Sequence, residues 1–128
     1  MKNFLAVYVG SESALETSGW NALSAQERSA REQAGMAAWG NWMIANAGVV
    51  VDHGGPLGKT KRMAAGGVTD IRNNLAGYVI VRAESHAAAA QLFRNHPHFM
   101  LFPGDSVEIM ECLPIPGAPE PPKERGRA

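Results

Sequence analysis

The stretch of residues 75–114 constrains the fold of this chain more than any other part of the sequence. An apolar run at residues 78–81 predicts a strand, and Ser85 is a typical N-cap for the alanine-rich helix that follows it. A second apolar run, at residues 107–113, predicts another strand behind a turn that contains proline and glycine. Strand, helix and strand in this order predict one half of a domain in which helices pack on a sheet.

The second predicted helix carries histidines at its end, in the sequence His96-Pro97-His98. Proline disfavours helical geometry at the residue before it, so we expect this helix to run from Ser85 to His96. At a helix C-terminus the macrodipole favours a protonated histidine, and an ordinary pKa of about 6.5 suits a general acid or base. His96 is therefore the first candidate for chemistry, and a histidine that only caps the last carbonyls is the structural alternative.

The first half of the chain predicts the other strand, helix and strand. Residues 4–9 and 49–53 are apolar or β-branched and indicate strands. Between them, Ser24 and Glu27 form a capping-box pattern, which starts a helix expected to reach about residue 47. The complete order is βαββαβ, which predicts an α+β, ferredoxin-like sandwich.

Two further segments of the chain show no regular apolar period. Residues 11–23 are mostly polar, and we expect them to form a loop. Residues 54–74 are rich in glycine and carry several basic side chains, so they are expected to form an extended hairpin connection or a flap over a cleft.

Both faces of the first and third predicted strands are apolar. In the first strand two apolar sets alternate, one pointing to each face: Phe4, Ala6 and Tyr8, and Leu5, Val7 and Val9. Helices cover only one face of a ferredoxin-like sheet, so the other face would be a large exposed apolar patch in a monomer. The residues therefore predict a homodimer in which two sheets pack face to face.

Length, charge and cysteine content limit the classes of function that are open to this chain. The chain has 128 residues, and we expect a single domain at residues 1–114 followed by a proline-rich tail at residues 115–128. The 12 basic residues balance the 12 acidic ones, so no net field favours nucleic acid or a membrane surface. One cysteine, Cys112, fits a reducing compartment, and no leader or membrane span is recognisable, so a cytoplasmic location is expected.

Several short patterns together carry a family resemblance that covers roughly residues 3–114. They are the first strand, Gly55-Pro56-Leu57, Gly77-Tyr78-Val79-Ile80, the Glu84-Ser85 helix start, the X-Pro-aromatic position at the end of the second helix, and the last strand. In these features the chain resembles the YCII-related family, a branch of the dimeric α/β-barrel proteins. The resemblance implies a small dimeric barrel with a pocket between helices and sheet, and some relatives catalyse small aromatic or lactone chemistry.

The family often places a histidine on the first helix and an acid before the proline that follows the second. Here the first helix has no histidine and Ala37 stands near the expected position, while His96 occupies the second position. The acid–base pair suggested for the family is therefore not retained in this chain.

We predict a pocket that binds a small organic molecule, an aromatic or carbonyl compound, without a metal or organic cofactor. Asp52 and His53 are neighbours on a strand, so their side chains leave opposite faces unless the strand bulges. The predicted catalytic residues, with proton transfer by His96, are His96, His98 and Asp52, and the predicted ligand-binding residues are His53, Tyr8, Tyr78, Trp42 and Asp70. The His-Pro-His turn lacks the third ligand that a catalytic zinc site needs, so no metal site is expected.

The alternative interpretation is a non-catalytic protein. In that case the chain is a sensor or an accessory module whose dimer interface, together with the proline-rich tail at residues 115–128, contacts another protein. Ligand binding that depends on His96 favours the pocket, whereas partner binding that depends on the tail favours the module.

Overall fold

The structure, a computed structural model, describes residues 1–117, and the remainder of the predicted tail lies outside the described residues. The elements in chain order are β1 (Lys2–Val9), α1 (Glu12–Thr17), a 3₁₀ turn (Trp20–Ala22), α2 (Ala25–Ala45), β2 (Val50–Pro56), β3 (Thr60–Ala64), β4 (Gly67–Ile71), β5 (Leu75–Ala83), α3 (His86–Gln91), α4 (Pro97–Met100) and β6 (Ser106–Glu111). Within this described part, no helix is both long enough and apolar enough to cross a membrane.

Four strands form an antiparallel sheet in the order β2-β5-β1-β6. The strand order confirms the predicted α+β class and is consistent with the ferredoxin-like arrangement. One face of the sheet and the helices above it form the hydrophobic core, whose buried members are Phe4, Ala6, Tyr8, Val79, Val81, Ala83, Ala89 and Phe93. The dimer and the barrel remain predictions.

The long helix α2 begins as the sequence predicts. The Ser24 hydroxyl accepts the backbone N–H of Glu27 at 3.1 Å, and the Glu27 carboxylate accepts the backbone N–H of Ser24 at 2.8 Å. This capping box satisfies two N–H groups that have no partner inside the helix. Toward its C-terminal end, α2 packs Trp39, Trp42 and Met43 against the core of the sheet.

The segment at residues 11–23 is not the predicted loop. The Ser11 hydroxyl accepts the backbone N–H of Ala14 at 3.0 Å and starts α1, which the 3₁₀ turn follows. Both helical pieces are too short to show the apolar period that identifies a helix in sequence. They were missed for that reason.

The second helix is shorter than predicted. The segment α3 ends at Gln91, and Asn95 then takes a left-handed backbone conformation with φ of 56°. His96 is the N-cap of a separate helix, α4, with Pro97 at its first turn, where proline is well tolerated. The prediction that His96 ends a helix was therefore wrong, and so was the dipole argument built on it.

Residues 54–74 include an extended hairpin, the first of the two predicted alternatives. Its strands β3 and β4 pair antiparallel, and the Lys61 ammonium lies 2.7 Å from the Asp70 carboxylate across the pair. Both of these side chains are highly exposed, so the ion pair contributes little to stability.

The second face of the four-stranded sheet has an apolar centre, as the alternation in the sequence predicted, with the charged residues Arg82 and Glu108 on the same face. Leu5 pairs with Ile80 on β5 and with Met110 on β6, and none of the three belongs to the hydrophobic core. Met110 leaves 41% of its surface exposed. These three side chains therefore lie on the face opposite the core.

A candidate binding cavity and its histidines

A cavity of about 470 Å³ lies at one end of the sheet, where α2 passes over the strand ends and the turn after α4 closes one side. Its wall consists of Tyr8, Met36, Trp39, Met43, His53, Gly54, Gly55, Pro56, Ala76, Gly77, Tyr78, His98 and Phe102. Most of these side chains are apolar or aromatic, and the polar ones are those of Tyr8 and two histidines. Tyr78 also borders the cavity, but the register of β5 places its side chain on the same face of the sheet as that of Ile80. Within residues 1–117, this wall contains no carboxylate, ammonium or guanidinium group.

Tyr8 belongs both to the cavity wall and to the hydrophobic core. It lies on β1 with only 3% of its surface exposed, and its ring is 4.8 Å from the Trp39 ring between centroids. Burial raises the pKa of the Tyr8 phenol well above its ordinary value, because the phenolate would lose its hydration. Tyr8 therefore keeps its proton at physiological pH.

His96 lies behind the cavity wall and has no exposed surface. Its Nδ1 accepts the backbone N–H of His98 at 3.0 Å, and its Nε2 lies 3.4 Å from the Tyr8 hydroxyl. Burial is the main cause that lowers the His96 pKa to about 4, and the positive charge that His98 can carry lowers it further. His96 is therefore neutral at physiological pH, the opposite of the protonated form expected from the sequence.

His98 forms part of the cavity wall and is held by the backbone. Its Nε2 lies 2.7 Å from the Val9 carbonyl oxygen, to which the ring donates its N–H. Burial lowers the His98 pKa, although the Val9 carbonyl and the nearby Asp105 carboxylate act in the opposite direction. Gly104 lies against the ring so closely that a Cβ there would overlap His98.

Of the neighbouring residues Asp52 and His53, only His53 lines the cavity. Strand β2 has register irregularities on both sides of Asp52, where it pairs with β5, so the simple alternation of faces is broken. The Asp52 carboxylate accepts the backbone N–H of Gly54 at 2.9 Å, and Asp52 does not line the cavity. His53, by contrast, is exposed and lies in the cavity wall.

Two other predicted ligand-binding residues lie away from the cavity. The Trp42 indole N–H donates to the Leu92 carbonyl at 2.8 Å, and its ring contacts the rings of Phe93 and His96 with centroids 5.0 Å apart in both cases. Asp70 belongs to the exposed hairpin and lines a separate, open groove with Lys61. The structure thus brings Tyr8, Tyr78, His53 and His98 to one wall, with His96 directly behind it.

Sequence reasoning did not assign Met36, Trp39, Met43 and Phe102 to the pocket. The first three, at spacings of three and four, follow the pattern of a helix face that packs on a core, and only their position at the end of the sheet makes them a wall. One of these contacts has a signal in the sequence, a glycine inside the long helix. A Cβ at Gly35 of α2 would lie 2.5 Å from the Phe102 ring, so the glycine marks a position where the ring approaches the helix closely.

Metal binding finds no support among the described residues. Residues 1–117 contain no group of three or more His, Cys, Asp or Glu side chains placed to hold a metal ion. His96 and His98 both use ring nitrogens for hydrogen bonds inside the protein.

One comparison with known proteins found a similar structure. The chain is similar to a solved structure of 5-chloro-2-hydroxyhydroquinone dehydrochlorinase from Burkholderia phenoliruptrix AC1100 in complex with 2,5-dihydroxybenzoquinone, with 17% identity over 84% of this chain and 89% of that chain and a TM-score of 0.47. No family model matches the chain, and no curated protein matches it. Membership of the YCII-related family therefore stays a prediction.

Proposed function

We propose that this protein binds a small, uncharged aromatic molecule in the cavity beneath α2. The observation that carries the proposal is the cavity wall, where aromatic and apolar side chains surround a few polar groups. Its volume of about 470 Å³ lies within the range of roughly 300–1,000 Å³ that is usual for small-molecule sites. Flat aromatic compounds match such a wall because their rings can pack against Trp39, Tyr8 and Phe102.

The charge of the wall supports an uncharged ligand. A carboxylate or ammonium ion buried here would lose its hydration, and the wall described above offers no opposite charge in return. Burial lowers the pKa of His98, so this histidine of the wall does not supply a cation to pair with an anion. An organic anion should therefore bind much more weakly than an uncharged molecule of the same shape.

Proton transfer to or from the bound molecule is the reaction we propose for this site. His98 and His53 are the histidines in the wall, whereas the predicted acid–base residue His96 lies behind it. Because the His98 Nε2–H donates to the Val9 carbonyl, its Nδ1 is the nitrogen left to accept a proton. The proposal includes no metal and no organic cofactor.

A substitution at the mouth of the cavity tests binding. Met36 lines the cavity but is 67% exposed, so Met36→Trp should narrow the entrance without disturbing the fold. We expect acetylnaphthalene at ten times its dissociation constant to raise the melting temperature of the wild-type protein by roughly 4 °C. Naphthoate, its anionic counterpart, should cause no comparable shift, and Met36→Trp should abolish the shift with acetylnaphthalene.

Ile44→Trp is the matched control for this experiment. Ile44 lies on the same helix, is 77% exposed and is absent from the cavity wall, so the variant should keep the full ligand-induced shift. Equal shifts in the Met36 and Ile44 variants would place the bound molecule elsewhere and overturn the proposal.

We also propose that the protein is a homodimer that packs its apolar sheet faces together. Leu5, Ile80 and Met110 lie on the face that does not contribute to the core. Burying such a face removes apolar surface from water, with a stabilisation of about 25 cal/mol for each Å². Sedimentation equilibrium at micromolar concentration should therefore give twice the monomer mass.

Ile80→Lys should convert the dimer to a monomer, because two lysine charges would have to lose their hydration between the two sheets. Ile44→Lys, an exposed position on α2, should leave the mass unchanged. A monomeric mass for the wild-type protein would refute this part of the proposal.

A further inference from the structure

The hydrogen bonds around His96 fix which of its nitrogens carries the proton. Its Nδ1 receives the backbone N–H of His98, and a backbone amide can only donate, so Nδ1 carries no hydrogen. The ring is neutral at physiological pH, because its pKa is about 4. The single ring proton is therefore on Nε2, an assignment made from the hydrogen-bond network.

This tautomer determines the direction of the next hydrogen bond. The His96 Nε2–H donates to the Tyr8 hydroxyl oxygen 3.4 Å away, so Tyr8 cannot donate its own hydrogen to His96. Within residues 1–117, the Tyr8 hydroxyl makes no other hydrogen bond. A tyrosine with 3% of its surface exposed thus has an O–H hydrogen without an acceptor, and the same residue lines the cavity.

We propose that Tyr8 is a hydrogen-bond donor to the bound molecule, held in that role by His96, and that the cavity selects molecules with an uncharged carbonyl oxygen. The inference rests on the proposed function and adds the chemical group that is recognised. Carbonyl oxygen is a strong neutral acceptor, whereas an anionic acceptor would meet the uncharged wall of the cavity. His96 is a positioning residue, since it does not line the cavity.

The neighbouring rings hold this arrangement rigid. The His96 ring packs edge-on against Trp39 with centroids 4.6 Å apart, and Tyr8 packs against the same indole. A donor fixed in this way loses little conformational freedom when a ligand binds, so its hydrogen bond contributes more fully to affinity. A ligand of the same shape that lacks the acceptor leaves the buried O–H unsatisfied.

A pair of isosteric ligands tests the donor role. Acetylnaphthalene has a carbonyl group where isopropenylnaphthalene has a carbon–carbon double bond, and the two molecules have nearly the same shape. We expect the wild-type protein to bind the ketone about tenfold more tightly than the alkene, as measured by calorimetry. Tyr8→Phe should bind both molecules with the affinity that the wild type shows for the alkene.

The outcomes separate this inference from the proposed function. Equal affinities of the wild type for ketone and alkene would leave the binding cavity established and overturn the donor role of Tyr8. A ketone preference that survives in Tyr8→Phe would also overturn it. Absence of binding by both molecules would refute the proposed function together with the inference.

Nitrogen NMR supplies a measurement that needs no ligand. In ¹⁵N-labelled protein at neutral pH, the His96 ring should show a protonated Nε2 and an unprotonated Nδ1. The opposite tautomer would make Tyr8 a donor to His96 and would contradict the inference even if the ketone binds.

Discussion

Gly54→Ala is expected to lower the free energy of unfolding by at least about 3 kcal/mol, the largest effect of any single methyl addition considered for this protein. Gly54 has a φ of 60°, a left-handed conformation that costs a residue with a Cβ about 1 kcal/mol or more. The added Cβ would also overlap the backbone carbonyl of Tyr78 on the adjacent strand. A backbone carbonyl in a sheet cannot rotate away, so β2 and β5 would have to separate locally.

Gly55→Ala is the matched control. It is the next residue of the same strand, and a Cβ there would meet no atom within 4 Å. Urea unfolding should therefore give Gly55→Ala a stability within about 0.5 kcal/mol of the wild type. Similar losses in both variants would contradict the explanation by overlap with Tyr78.

Gly54→Ala should also weaken ligand binding. Gly54 and Tyr78 both belong to the cavity wall, and His53 precedes the glycine in the chain. A separation of β2 from β5 would move this wall relative to α2. The variant should therefore lose the shift in melting temperature with acetylnaphthalene at temperatures where it is still folded.

The second large effect is a loss of stability on acidification. The His96 pKa is about 4 in the folded protein and about 6.5 in an unfolded chain, so between these values the unfolded state binds more protons. The free energy of unfolding should therefore be highest above about pH 6.5 and should fall as the pH decreases toward about 4. The expected contribution of His96 is roughly 2 kcal/mol after an allowance for solvent screening.

His98 adds to the same effect, because burial lowers its pKa as well. Urea unfolding at a series of pH values measures how steeply the free energy of unfolding changes with pH. His96→Asn keeps an oxygen that can accept the His98 backbone N–H but does not titrate, so its stability should change less steeply between neutral pH and pH 5. The variant is expected to be less stable at neutral pH, since asparagine is smaller, but only the slope tests the titration.

Ile44→Asn is the control for the slope. Ile44 is 77% exposed and neither isoleucine nor asparagine titrates, so this substitution should leave the pH dependence of unfolding the same as in the wild type. If stability proved constant from neutral pH to pH 5, or if His96→Asn kept the wild-type slope, His96 would not be the buried neutral group that the structure indicates.

Much of the fold could be predicted because its signals are local. The capping box at Ser24 and Glu27, the apolar strands and the order βαββαβ all depend on residues close together in the chain. The end of the second helix could not be predicted in the same way. The periodic residues Leu92 and Phe93 continue the helical pattern, but α3 ends at Gln91, and Asn95 takes a left-handed conformation before His96. Periodicity records which residues face the core and does not record such a reversal.

The candidate site shows a similar division. Tyr8, Tyr78, His53 and His98 were selected by residue type, and all four border one cavity, while their role in binding stays a prediction. Their individual roles depend on partners that are distant in sequence. Tyr8 and His96 are 88 residues apart, and His98 and Val9 are 89 residues apart. No spacing rule within one element connects such pairs.

By itself, the sequence determined an α+β chain with a capped long helix, strands that are apolar on both faces, and a histidine pair at a proline turn. Only the tertiary structure decided the burial, the charge and the hydrogen bonds of those histidines. Folding places His96 at the start of a helix and removes it from water, which costs the charged ring its hydration and leaves it neutral. Charge and hydrogen-bond direction are set by surroundings that the whole fold creates, whereas strands and caps are set by neighbours along the chain.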